Sequence, residues 1–419
     1  MNSGLFANNS VQTRPHVLMV THVLPYPPAA GNEIRIYKML KWFRHKGYGV
    51  TLVLKPLDDT EVTNECVLGL REVVDNLHIF DNRVIPVRAD VASARVPRPV
   101  DTDIDDPMLS QIQDGFCPAW FVEEVAAVIA ALQPEVVIAQ YVFTSRILAL
   151  PECGLALRVI DAHDLFCRKQ ATVEQYGIKN YGLSLTDDQE RRLLNRSDVV
   201  LAIQRVEQVE IAKLVPERKV LLASFDLEVH TADPRRMVPD QVLIVASGNE
   251  FNVRGTQDFL DYTWPLVREA NPNARLRVIG RVCREVTSDD PTVSLLGFVE
   301  SLDLEYEQAA VVVNPCRVGT GLKIKTIEAL AWGKAQVAWP SAADGLRELG
   351  DVPVIIATNV VDFADAIVAV LHDARKRETL QQGAHRFISG NFGAEHVYSG
   401  LTDAIEATVA GNSKGCKSE

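Results

Sequence analysis

Val311–Leu346, VVVNPCRVGTGLKIKTIEALAWGKAQVAWPSAADGL, decides how the rest of the chain is read. An apolar strand, Val311–Asn314, leads into a glycine-punctuated turn, Gly319-Thr320-Gly321-Leu322-Lys323, and a helix is predicted from about Leu322 to Trp332. Glycine lets the backbone come close to a ligand. The start of a helix offers unpaired N–H groups and a partial positive charge to an anion. Lys323 and Lys325 add full positive charge, and Glu328 lies one to two turns further in. Such a segment can hold a phosphorylated, hydroxyl-bearing ligand. A Gly-Thr-Gly turn also occurs as a plain connection in α/β proteins, and helix lysines commonly face water, so the local pattern leaves both readings open. Two other phosphate sites are excluded. The string GxxxxGK[ST] of a P-loop occurs nowhere, and the third glycine of the dinucleotide fingerprint is replaced by Ile324.

The 419 residues, 47% of them apolar, can bury large cores and are expected to form two domains. A formal charge of −12 and a pI near 5.3 argue against a nucleic-acid partner, which calls for a basic stripe. No apolar run approaches the roughly 20 residues of a bilayer span. The start, MNSGLFANNSVQTRP, lacks the positive-then-apolar layout of a signal peptide. Seven cysteines (66, 117, 153, 167, 283, 316 and 416) are scattered without a CxxC pair. That pattern fits free thiols in a reducing cytoplasm and gives no zinc or redox motif.

Short β-rich runs alternate with helical patterns, the signature of parallel sheets covered by helices. The predicted strands of the first half are Val17–Val20, Val50–Leu54, Leu77–Phe80, Val136–Ala139, Leu157–Ile160, Val199–Ile203 and Val220–Ala223. Those of the second half are Val242–Ala246, Leu276–Ile279, Val293–Leu296, Val311–Val313, Gln336–Ala338 and Val354–Ile356. Glu228–Asp240, with HTADPRRMVPD, reads as a linker. The fold class is therefore α/β, with two Rossmann-like doubly wound domains facing across a cleft. Residues 1–230 form the first domain and 231–395 the second, while 396–419 make a helix returning toward the first domain and a disordered tail. Ligands of such sheets sit at the carboxyl ends of the strands, where the turn at Gly319 falls.

A second glycine-bearing turn, THVLPYPPAAGNE, precedes a helix predicted from about Glu33 to Lys46. Ile36, Met39, Leu40 and Phe43 make its core stripe. Arg35, Lys38, Lys41 and His45, joined by Arg44 and Lys46, fall on another face. That face is either solvated or a basic patch for an anionic membrane surface or a lipid-phosphate acceptor. Asp101-Thr102-Asp103 resembles a DxD metal motif but follows a proline-broken stretch with no strand, so it reads as an acidic loop and no metal is expected.

Val311–Leu346, together with the preceding GFVESLDLEYEQAA and VLIVASGNEFNVRGTQDFLDYTWPLVREANPNARLRVIG, resembles the donor-binding half of GT-B glycosyltransferases, specifically glycosyltransferase family 4. PPAAGNE, PEVVIAQY, LRVIDAHD and ERRLLNRSDVVLAIQ fall in family-like order in the first half. The resemblance implies a nucleotide-diphosphate-sugar donor, a glycan or lipid-linked acceptor held by the first domain, and transfer with retention of anomeric configuration. No cofactor is expected; the cysteine pattern reads as cytoplasmic, and the basic face of the first helix is what points to peripheral contact with the inner face of a membrane. Glu328 matches the acid that hydrogen-bonds the ribose hydroxyls, and Gly319, Thr320, Gly321 and Leu322 the turn over sugar and diphosphate. Phe298 and Val299 match positions that contact the base. His163 matches a histidine facing the donor sugar, and Gly31 a glycine near the diphosphate.

Two departures bear on the site. Many members carry a glutamate where Thr320 stands, and an arginine and a lysine where spacing to Gly255 gives Asn249 and Arg254. One cation survives as Arg254, with Lys323 or Lys325 supplying the other. Cleaving a glycosyl–diphosphate bond builds negative charge that, without a metal, needs fixed cations and helix-end dipoles. Arg254, Lys325 and the helix start provide them. The alternatives are a sugar-nucleotide 2-epimerase of the same fold and a non-catalytic partner subunit.

Overall fold

The computed structural model describes residues 14–28, 30–81, 106–174, 183–299, 301–317 and 323–415. Every predicted strand is present, within one residue at either end. The first set comprises β1 (His16–Thr21), β2 (Gly49–Leu54), β3 (Asn76–Ile79), β4 (Val136–Gln140), β5 (Leu157–Asp161), β6 (Val199–Ala202) and β7 (Lys219–Leu222). The second comprises β8 (Gln241–Val245), β9 (Arg275–Ile279), β10 (Val293–Gly297), β11 (Val311–Asn314), β12 (Gln336–Ala338) and β13 (Ile355–Ile356). The helices among the first set are α1 (Gly31–His45), α2 (Asn64–Arg71), α3 (Pro107–Phe116), α4 (Ala119–Leu132), α5 (Phe166–Glu174), α6 (Asp187–Leu194) and α7 (Arg205–Leu214). Those of the second half are α8 (Glu250–Asp258), α9 (Trp264–Ala270), α10 (Asp303–Gln308), α11 (Ile324–Ala331), α12 (Val360–His372), α13 (Ala374–Asn391) and α14 (Ala394–Gly415).

The sheet orders are β3-β2-β1-β4-β5-β6-β7 and β10-β9-β8-β11-β12-β13. Ladders on both sides of β1 and of β8 are parallel. Strand order reverses between β1 and β4 and between β8 and β11, and doubly wound sheets bind ligands beyond the carboxyl ends at such points. By contacts the chain resolves into two compact units, one of residues 1–161, 193–200 and 403–419, the other of 162–192 and 201–402.

Period-two alternation explains the second sheet's two covered faces. Val242, Ile244, Val278, Val311 and Val313 pack with Phe259, Trp264, Phe363 and Ile367. Leu243, Ile279 and Val312 turn the other way, against Tyr306 and Ala329. Burying side chains of this size contributes about 1.5–3 kcal/mol each. These opposed contacts fix α10 and α11 on one face of the sheet.

The stretch read as a linker is tied down. Leu227, just before it, donates its amide to the Phe392 carbonyl at 2.7 Å, His230 to Ala331 at 2.8 Å and Val238 to Gln308 at 2.9 Å. The basic face of α1 also needs correction. Arg35 is buried and makes a forked bond to buried Asp161, Nε at 2.9 Å and Nη2 at 2.7 Å. Desolvation is tolerable only because the two charges meet. Arg44 pairs with Asp75, while Lys41, His45 and Lys46 are exposed. Asp101-Thr102-Asp103 lies outside the described residues. No single described helix is long and apolar enough to cross a membrane, and α3 and α4 reach that composition only as a pair bent by 58°. Much of α4 is core: Phe121, Val122, Val125 and Ile129 are buried.

Candidate active site

The carboxyl end of β11 and the start of α11 are fixed on both sides of residues 318–322, so Gly319, Thr320, Gly321 and Leu322 themselves lie outside the described residues. Asn314 accepts the Cys316 amide at 3.2 Å and donates to the Thr326 hydroxyl, in the first turn of α11, at 3.1 Å. Ser341 donates to the Cys316 carbonyl at 3.0 Å, and the Arg317 guanidinium sits 4.2 Å from the centre of the Trp339 ring. From the neighbouring strand, α8 presses onto this loop at Gly255. A Cβ there would meet the Pro315 carbonyl oxygen at 2.7 Å, so only glycine fits without movement. Beside Gly255, Arg254 is exposed and has no hydrogen bond or ion pair among the described residues. Asn249, the other departure, caps α8 by accepting the Asn252 amide at 2.9 Å.

Lys323 occupies the N-cap position of α11, where no side chain caps the helix among the described residues. Burial pushes its amine below the usual lysine range, against the opposing pull of Cys316, Asp344, Asp164 and Glu207. Lys325 donates to Glu328 at 2.8 Å, one helical turn along. The residues expected to grip a diphosphate and a ribose are thus bonded to each other. Glu328 is mostly buried, its side chain 14% exposed, and Trp332, whose amide bonds the Glu328 carbonyl at 3.1 Å, follows on the same face. Tyr306 of α10 stacks on Trp332 with ring centres 5.8 Å apart. At the end of β10, Phe298 shows 71% of its surface, while Val299 packs with Leu243, Tyr306 and Val312. Phe298 is thus the more exposed of the two residues expected at the base, and Val299 is partly buried.

At the first sheet, Gly31 is the first residue of α1, and Glu33 accepts the Ala30 amide at 2.7 Å. His163 is buried at a positive φ of 60°, two residues beyond Asp161, in a tight turn closed by Asp164 N–H to the Ala162 carbonyl at 2.7 Å. Asp164 then pairs with Lys169 at 2.8 Å. Buried Glu190 accepts the amides of Phe166 and Cys167 at 2.9 and 2.6 Å, so the start of α5 already holds a carboxylate. Burial pushes Glu190 above the usual carboxyl range and, with the charge of Asp164 second, pushes Glu207 up to about 8.

Sequence reasoning missed Tyr306, Glu207 and Asp164 as members of these clusters. Asp164 was visible within DAHD, but Tyr306 and Glu207 sit in ordinary helical sequence, and only the fold gives them charged neighbours. A separate cavity of about 290 Å³ is lined by Gln257, Asp261, Asp289 and Asp290 among others, and its carboxylates suit it poorly to a diphosphate.

Residues 239–373 match the family model described as glycosyl transferases group 1. That segment is similar to the group 1 glycosyltransferases. It contains Arg254, Lys323, Lys325 and Glu328, the polar groups around the start of α11. A Klebsiella pneumoniae protein described as an uncharacterized 44.6 kDa protein in cps region is 22% identical over 168 residues, which cover 37% of this chain and 43% of that protein. The chain thus matches less than half the length of that relative. Among solved structures, Anabaena Alr3699/HepE in complex with UDP and glucose is 14% identical, with a TM-score of 0.64 over 94% of this chain and 100% of its own. S. aureus TarM in complex with Fondaparinux, alpha-GlcNAc-glycerol and UDP is 10% identical, with a TM-score of 0.66 over 93% and 99%. At these identities the likeness shows the fold alone, a GT-B architecture of two doubly wound α/β sheets.

Proposed function

We propose that this protein transfers a sugar from a nucleotide-diphosphate-sugar to a glycan or lipid-linked acceptor, with retention of anomeric configuration and without a metal ion. The observation that carries the reading is the start of α11, where Lys323 and Lys325 meet the loop packed against Gly255, and where among the described residues no side chain caps the helix and neighbouring Arg254 has no partner. In this account the leaving diphosphate gathers charge as the glycosidic bond breaks. Arg254, Lys325 and the helix dipole stabilise that charge in place, without reorganisation during the step. Glu328 accepts the ribose hydroxyls, and Phe298 offers its exposed ring to the base. His163 faces the sugar, and Gly31 lies near the diphosphate. No side chain is assigned as base. The leaving phosphate oxygen takes the acceptor's proton, so the acceptor oxygen bonds the anomeric carbon as the phosphate bond breaks on the same face. Exposed Lys41, His45 and Lys46 are the groups of α1 that would meet an anionic membrane surface.

The Anabaena and S. aureus structures hold UDP, which makes UDP-sugars the first donors to test, followed by GDP- and dTDP-sugars. A true donor at a hundredfold excess over its Kd raises unfolding free energy by about 2.7 kcal/mol. The product should keep the donor's anomeric configuration by NMR, with turnover unchanged by EDTA. Epimerised donor formed without acceptor, an inverted product, or no stabilisation by any sugar nucleotide contradicts the proposal.

A further inference from the structure

The pair Lys325–Glu328 poses a problem for the site just described. If a diphosphate draws Lys325 away, a carboxylate only 14% exposed loses its counter-charge at the moment it must hold a ribose. The ribose hydroxyls fill only part of a carboxylate's acceptor capacity, so a further donor is needed to hold the buried group in place. One is at hand. Tyr306 is 1% exposed, and its hydroxyl finds no hydrogen-bond partner among the described residues. Its ring lies nearly parallel to that of Trp332, 13° between planes, and Trp332 stacks in turn on His230 with centres 4.2 Å apart. Trp332 follows Glu328 by four residues, so the stacked phenol is held over the same helix face as the carboxylate. The charge of Glu328 reaches it: burial first and Glu328 second push the phenol well above its ordinary range, keeping it a proton donor.

We propose that Tyr306 is the positioning residue of Glu328, its hydroxyl bonding the carboxylate when a donor's diphosphate takes Lys325. The free protein keeps the ion pair; the occupied site keeps Glu328 aimed at the ribose through a charge-assisted O–H···O bond. This rests on the ribose role given to Glu328 above.

Titration calorimetry with UDP, and with GDP in parallel, tests it on wild type, Tyr306→Phe, Glu328→Ala and the double variant. Tyr306→Phe keeps the stacked ring and removes an unpartnered hydroxyl, so the free protein's Tm should not fall. Nucleotide binding should weaken about tenfold, the effect of one hydrogen bond to a charged group. The double variant should bind no more weakly than Glu328→Ala alone, and the Tyr306→Phe effect should vanish with a dideoxyribose nucleotide. Unchanged binding by Tyr306→Phe, or an equal loss in the Glu328→Ala background, overturns the positioning role alone. Unchanged binding by Glu328→Ala, or no nucleotide binding by wild type, overturns the ribose reading with it.

Discussion

The carboxyl ends of β5 and β11 both run through a tight connection into a helix, yet their charges are finished in opposite ways. After β5, Asp161 is locked by Arg35, the first amides of α5 are taken by Glu190, and Lys169 is paired with Asp164. After β11, among the described residues no side chain caps α11 and Arg254 close by has no partner, while Lys323 is a half-buried amine. A helix start already holding a protein carboxylate has little left for a foreign anion. One flanked by Lys323 and Lys325, with no capping side chain among the described residues, leaves its first amides open to a ligand, which under the proposal above is a diphosphate. Under that proposal the same backbone device serves stability at one place and ligand capture at the other.

The sharpest way to break this contrast is to remove Arg35. Arg35→Ala leaves Asp161 buried without its counter-charge, and chemical unfolding should show a loss of about 3–5 kcal/mol. A loss below about 1 kcal/mol would mean that the first cluster is no more structural than the second. Conversely, Lys325→Ala and Arg254→Ala should slow turnover by about thirty- to a thousandfold, roughly 2–4 kcal/mol in the barrier. Arg254→Ala should keep its unfolding free energy within about 1 kcal/mol of wild type, since an exposed charge contributes little. Lys325→Ala, which leaves mostly buried Glu328 without its ion pair, should lose less in stability than in the barrier. Stability losses exceeding the kinetic ones would reverse the assignment. Gly255→Ala, whose new Cβ meets the Pro315 oxygen at 2.7 Å, probes the loop that carries the second cluster. It should lower stability by about 1–3 kcal/mol and weaken nucleotide binding by calorimetry; wild-type values in both would show that the loop yields freely.

A smaller, pH-dependent effect refines the comparison. Glu207 titrates near 8 in the folded chain, above its ordinary 4.5, so folding holds a proton that the unfolded chain releases. Its contribution is full below 4.5 and is lost as pH rises to about 8. Urea unfolding followed across that window should show Glu207→Gln losing less stability with rising pH than wild type. Parallel curves would place Glu207 among ordinary solvated acids.

Much of this was legible in the chain because its carriers are local. Buried parallel strands read as short runs such as VLMV, VVIA and VVVN, and each became a strand. The turn at Gly319, Glu328 and the two lysines drew attention by spacing, which left a plain connection equally open, and their ligand roles came only with the family resemblance. What escaped depends on long-range pairing. Arg35 shares helical spacing with Lys38 and looks like surface, but its partner lies 126 residues away. Lys325 and Glu328 were read as separate grips on a ligand, whereas helical geometry first joins them to each other. Tyr306 gives no sign in LEYEQ of the carboxylate whose charge reaches it, because the stacking on Trp332 that places it exists only after α10 and α11 pack on one sheet face.

A crystal structure grown with a UDP-sugar tests the central claim most directly. The account predicts the diphosphate against the first turn of α11, within hydrogen-bond distance of Lys325 or Arg254, and the ribose hydroxyls on Glu328. A nucleotide bound elsewhere, with Lys325 still on Glu328 and Arg254 in solvent, would contradict it.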